Sequence, residues 1–152
     1  MRTSPSAVSK IAEFEGCRLA PYNDLAGNAT VGIGHLLHRG PLDGTEVPVT
    51  REEALRVFAQ DLLPREKTVS SYVRVPLTQN QFDSLVSFTY NLGAGNLLNL
   101  LSETGLNRGC YDKVPLGMVE YNKAHINGIL TVVPGLARRR VWEAKLFGTP
   151  DA

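Results

Sequence analysis

Cysteine is scarce in this chain of 152 residues: Cys17 and Cys110 are the two it has. That is too few for a disulfide framework, and both are read as free, buried, unbridged thiols. Charge of one sign is also missing. Sixteen Lys and Arg against fifteen Asp and Glu leave a formal charge of +1, which exerts no strong pull toward nucleic acid. Any attraction to an anionic polymer must then come from local patches. No apolar run approaches bilayer length and the N-terminus has no signal-like apolar core, so no stable membrane insertion is expected. Internal repeats, charge blocks and low-complexity linkers are absent too. What is there is ordinary for a globular protein: 43% apolar and 20% charged residues, enough to bury a core without staples.

Ser4-Pro5 reads as an N-cap followed by proline at the first helical position, and Val8, Ile11, Ala12 and Phe14 continue with helical spacing up to Gly16. Glu15 therefore sits on the last turn, where the partly negative helix end favours the uncharged acid. From Arg18 to Val49 glycines punctuate short β-prone pieces such as Ala29–Ile33, which predicts a small antiparallel sheet. Gly32 and Gly34 would let a substrate or a neighbouring backbone approach closely. The stretch HRGPLDGTEVP reads as an exposed loop.

Thr50-Arg-Glu-Glu53 is a capping box. It opens an apolar helical stripe that Pro64 interrupts and that resumes to Val73, so a long helix kinked near Pro64 is expected. Thr78-Gln-Asn-Gln81 opens a helix that Gly93 and Gly95 stop. Leu97 to Leu106 and Pro115 to Ala124 read as two more short helices. Asn127-Gly128, between β-prone flanks, predicts a tight hairpin. A last helix starts near Pro134.

The stretch from Glu15 to Leu37 carries the chemistry. Glu15 closes a helix, Asp24 stands in an Asn-Asp turn, and Thr30 opens TVGIGHLL. Two carboxylates and a hydroxyl in this order resemble the phage-type lysozymes, the endolysins of glycoside hydrolase family twenty-four. PLTQNQFDSLVSFTYNLGAGN, from Pro76 to Asn96, resembles the central segment of that family, and PGLARRRVWEAKLF, from Pro134 to Phe147, its final helix. Three blocks in the right order are more specific than any one alone.

The resemblance implies an α+β, lysozyme-like fold forming one catalytic domain over residues 1–152: a lobe with a small sheet at 16–50, a linking helix at 50–73, and a helical lobe at 74–152 together with the N-terminal helix. It implies a muramidase that cuts the β-1,4 bond between N-acetylmuramic acid and N-acetylglucosamine and lyses bacteria. Glu15 would be the general acid, Asp24 the second carboxylate, and Thr30 the hydroxyl that holds the attacking water, a division that implies inversion. Leu36, Tyr90 and Ser102 match substrate-contacting positions. Tyr90 reads equally well as core, and Leu36 as wall. An arginine among Arg138, Arg139 and Arg140 would approach the acid, although these three otherwise read as a solvated helix face. His35 and Asp61 match a buried His–Asp pair that supports the site, where loss of either partner would cost roughly 3–5 kcal/mol. No cofactor or metal is implied, since no second His or carboxylate stands at ligand spacing from His35 and His38 faces a loop.

The expected partner is the peptidoglycan glycan strand, with no nucleic acid. The protein would be a monomer, made in the host cytoplasm without a signal peptide and acting on periplasmic peptidoglycan after release. Lytic transglycosylase, wall-binding module and bacteriocin domain are the competing functions. The first needs only one Glu and the second no carboxylate pair, while the third needs a translocation segment. Cys17, Cys110 and the hairpin at Asn127-Gly128 depart from the family pattern.

Overall fold

Ser4 and Pro5 start the first helix for complementary reasons. The Ser4 hydroxyl accepts from the Ala7 N–H, and Pro5 stands where no backbone donor is lost. In the computed structural model, which describes residues 1–152, this helix, α1, spans Pro5–Glu15 and ends at Gly16, whose φ of 79° favours glycine. The chain forms two compact units, one of Ser4–Leu63 and one of Met1–Thr3 with Pro64–Ala152. α1 thus groups with the sheet, whereas the resemblance implies a place with the helical lobe. α1 packs on α2 (Arg51–Asp61) within the first unit.

That first unit holds a three-stranded antiparallel sheet of β1 (Arg18–Asn23), β2 (Ala29–Gly32) and β3 (His35–His38), in that spatial order. Tyr22 is opposite Thr30 across β1 and β2, and Thr30 is opposite Leu36 across β2 and β3. Opposed residues of antiparallel strands share a face, so Tyr22, Thr30 and Leu36 form one row. Val31 and His35 are the next pair, and alternation turns them to the other face, toward α2. Gly32 and Gly34 make the β2–β3 turn with φ near 66° and 64°. A Cβ on Gly32 would lie 3.2 Å from Cβ of Ala54. The close approach at Gly32 is therefore made by a neighbouring helix.

α2 begins at the Thr50 cap, whose hydroxyl accepts from the Glu53 N–H. The expected linking helix is two helices: α2 ends at Asp61 with Leu62 as its C-cap, and α3 spans Leu63–Tyr72 with Pro64 in its first turn. Proline is tolerated there, so the break falls just before it.

In the second unit Glu66 is buried and gathers the first residues of the chain. Its Oε1 accepts from the Thr3 N–H and hydroxyl, and Arg2 pairs with Oε2 at 3.0 Å. α4 (Gln79–Thr104) starts with a complete capping box at Thr78 and Gln81. It includes one non-helical residue, Gly93, at φ 87°, so of the two expected glycine stops only Gly93 breaks the helix. Gly105 ends α4 in the left-handed conformation. α5 is shorter than expected, spanning Val114–Val119. Ala124 lies instead in β4 (Lys123–Ile126), which pairs with β5 (Ile129–Val132) through Asn127-Gly128, both at positive φ. Ile126, Ile129, Leu130 and Val132 are exposed on that hairpin.

α6 (Pro134–Phe147) packs on α4 and α5. Its arginines are not a solvated face. Arg139 and Arg140 are buried, while Arg138 is exposed. Glu143 is fully buried between them, with Arg140 Nε 2.8 Å and Arg139 Nε 3.2 Å from its oxygens, and the Ser87 hydroxyl donates to it at 2.6 Å. Burial pushes the Glu143 carboxyl up, against the pull of Arg140, Ser87 and Arg139. Burial likewise pushes Arg140 down. No single charge of this cluster can be removed cheaply.

Candidate active site

Glu15, Asp24, Thr30 and Leu36 all belong to the first unit, whereas Tyr90 and Ser102 belong to the second. Glu15 is the last residue of α1 and is exposed. Asp24 follows β1 directly and organises the turn to β2. Its N–H donates to the Asn28 carbonyl at 2.9 Å, and its carbonyl accepts from Gly27 at 2.9 Å. Its Oδ1 accepts from the Ala26 and Asn28 N–H groups, both at 2.9 Å. One carboxylate oxygen is thus held by the backbone, and Oδ2 carries no protein hydrogen bond.

Thr30 is buried, with 3% of its surface accessible. Its hydroxyl donates to the Asn28 carbonyl at 3.0 Å. That bond uses the one proton the hydroxyl has and leaves its lone pairs to accept. The peptide groups of Asn28 therefore serve both residues: the N–H fixes Asp24, and the carbonyl fixes Thr30. The Asn28 side chain, through Oδ1, also accepts from the Gly40 N–H at 2.9 Å, which anchors the turn to the segment after β3. Asn28 was not singled out from the sequence, though an Asn after Gly in a turn is a known signal for such a role.

Leu36 is 48% exposed beside Thr30 on the same sheet face. In the second unit Tyr90 is half-buried, with the Arg65 guanidinium 5.7 Å from its ring centre, and Ser102 is exposed on the second half of α4. Tyr90 is therefore not core.

His35 and Asp61 do meet, with Nδ1 2.8 Å from Oδ2. They are not buried as expected, since their side chains are 39% and 35% accessible. His35 points to the α2 side of the sheet, away from the Thr30 row, because it pairs with Val31. On that side lies an apolar cavity of about 190 Å³ lined by Val31, His35, Leu37, Val49, Ala54 and Val57, among others. None of the three candidate catalytic residues lines it.

His38 is the larger departure from the sequence reading. Carboxylates do stand near it: the ligand atoms of His38, Asp43 and Glu46 all lie within 4.8 Å of one another. Such a set has donor types that suit a divalent cation. The backbone already engages it, however. Nε2 of His38 is 2.7 Å from Glu46 Oε1, which also accepts from the Asp43 N–H at 2.8 Å, and Gly44 donates to Oε2 at 3.0 Å. The exposed loop is thus tied down at its centre. The Arg39 carbonyl and the Glu46 carboxylate raise the His38 pKa. Cys17 and Cys110 are both free thiols, as expected, but each is half-buried and not buried.

The model of the phage lysozyme family matches residues 12–143. The chain is 32% identical over 149 residues to an endolysin of Acyrthosiphon pisum secondary endosymbiont phage 1, covering 97% of this chain and 98% of that protein. It is 30% identical to an endolysin of Bacillus phage B103 over its whole length, but spans only 56% of that protein. Among solved structures it is similar to the muramidase domain of SpmX from Asticaccaulis excentricus, with a TM-score of 0.83, 35% identity, and 98% and 99% of the two chains covered. With the mixed α+β lysozyme fold in place, the chain belongs to the phage lysozyme family and is a glycoside hydrolase of the muramidase type that acts on peptidoglycan.

Proposed function

We propose that this lysozyme cleaves its glycan by inversion, with Glu15 as general acid and Asp24 and Thr30 holding the attacking water, and that residues 1–152 act as one catalytic domain. The supporting observation is the shared hold of Asn28 on Asp24 and Thr30. With the Thr30 proton committed to the Asn28 carbonyl, Thr30 can only accept from a water, as can Asp24 Oδ2. Two acceptors take both water protons and leave an oxygen lone pair to face the anomeric carbon. As that oxygen bonds to carbon, one water proton passes to Asp24. The bond to the leaving oxygen breaks, and Glu15 supplies the proton that leaving oxygen needs. Solvent then resets both carboxyls. Charge and protons balance without a covalent sugar–enzyme intermediate.

Leu36 contacts the glycan beside Thr30 in the first unit, and Tyr90 and Ser102 are the glycan-contacting residues of the second. The pair His35–Asp61 holds the β2–β3 hairpin on α2, and so supports Thr30 from behind. The enzyme is a monomer that binds no nucleic acid, is made in the bacterial cytoplasm, and reaches periplasmic peptidoglycan on release. No helix is long and apolar enough to cross a membrane.

Glu15→Gln keeps the side-chain shape but removes the transferable proton, so lysis of outer-membrane-permeabilised cells should fall by at least ~10² with the fold intact by circular dichroism. Asp24→Asn should also lose most activity. Full activity in either variant would remove that residue from the mechanism. Anhydro-muramic ends in place of reducing ends would replace hydrolysis by transglycosylation.

A further inference from the structure

Arg18 is exposed and makes neither an ion pair nor a side-chain hydrogen bond. It is nevertheless held in place. Its guanidinium lies over the Tyr22 ring, 4.1 Å from the ring centre, close enough for a cation–π contact that holds the group. The N–H donors, which lie in the guanidinium plane, stay free at its edge. Tyr22 is opposite Thr30, and Thr30 is opposite Leu36. The stacked arginine therefore extends the same row of residues that includes the water-holding hydroxyl. It also follows Glu15 by only three positions, just past Gly16.

A planar cation that is pre-positioned and has no counterion within the protein suits one kind of ligand. Guanidinium edges bind carboxylates through paired N–H donors, and they do so with less entropy loss when the group is already held. Peptidoglycan offers carboxylates next to its scissile bonds, because the lactyl ether of each muramic acid carries a peptide that ends in, and branches with, carboxyl groups. With a net charge of +1, the protein has little general attraction for this anionic polymer. Recognition must come from placed cations.

We infer that Arg18, held on Tyr22, is a specificity-determining residue that binds a carboxylate of the muramic acid stem peptide. This rests on the muramidase reading. It extends that reading from the sugar backbone to the peptide-bearing form of the substrate. Arg18 takes no part in proton transfer. Its role is to fix the strand along the sheet face, and its loss should appear mainly in KM.

Purified sacculi provide the test, used native and after carbodiimide coupling that turns their carboxyls into amides. Arg18→Gln should lower kcat/KM on native sacculi by roughly tenfold. Wild type should fall by a similar factor on the amidated sacculi, where the substitution should add no further loss. Arg18→Lys, which keeps the charge but loses the planar fork, should recover part of the difference on native material. Wild-type activity indifferent to amidation would overturn the assignment even if Arg18→Gln folded poorly. So would an equal loss on both substrates. A wild-type enzyme that released no reducing ends from native sacculi would instead remove the muramidase reading on which the assignment stands.

Discussion

His35 Nδ1 lies 2.8 Å from Asp61 Oδ2, yet each side chain keeps more than a third of its surface accessible. The pair joins the β2–β3 hairpin to α2 across 26 positions of sequence. Water reaches both groups, so removal of one does not strand the other in a dry interior. His35→Asn and Asp61→Asn should each destabilise by about 1 kcal/mol and not by the several expected of a buried pair. The coupling from a double-mutant cycle in urea should be about 0.2–1 kcal/mol. A coupling several times larger would mean that the pair is shielded from water in solution.

Stereochemistry separates a held water from a nucleophilic carboxylate. If Asp24 and Thr30 position water, the newly released reducing end is the α-anomer. Early-time NMR of a defined glycan fragment, recorded before mutarotation, reads this directly. The β-anomer would mean retention, with Asp24 attacking the sugar.

The loop after β3 should be firmest in mildly acidic solution. His38 titrates above its ordinary 6.5 because of the Arg39 carbonyl and the Glu46 carboxylate. Its contribution is full below 6.5 and is lost as pH rises through the raised value. Glu46 titrates below its ordinary 4.5, chiefly through the Asp43 N–H, with His38 adding to the effect. Its contribution is present above 4.5 and is lost as pH falls through the lowered value. Asp43, lowered mainly by the Thr45 hydroxyl, behaves in the same sense. Amide exchange at Asp43 and Gly44, corrected for intrinsic rates, should show most protection between these limits, near about pH 5.5. His38→Asn should abolish the decline at high pH and leave the acidic one. Equal protection in mild acid and at alkaline pH would mean that the His38 contacts do not hold the loop.

Local chemistry determined much of this protein. Ser4-Pro5, Thr50 and the Thr78–Gln81 box set helix starts, because capping needs only residues a few positions apart. Asn127-Gly128 set a hairpin, because its backbone angles exclude most other residues. The order of Glu15, Asp24 and Thr30 within a helix end, a turn and a strand resembles the lysozyme family in the sequence itself. Tertiary structure decided the matters that depend on what lies opposite a residue. Arg139 and Arg140 have the composition of a wet helix face, and become interior groups because α4 presents Ser87 and Asn91 to them. The loop HRGPLDGTEVP has no periodicity, and its order comes from one imidazole meeting two carboxylates, which also accept from three backbone N–H groups. Exposure separates these cases from the pair His35–Asp61. A sequence can name two groups that will meet, but the dielectric around them, and so the energy of their meeting, is set by the packing of the rest of the chain.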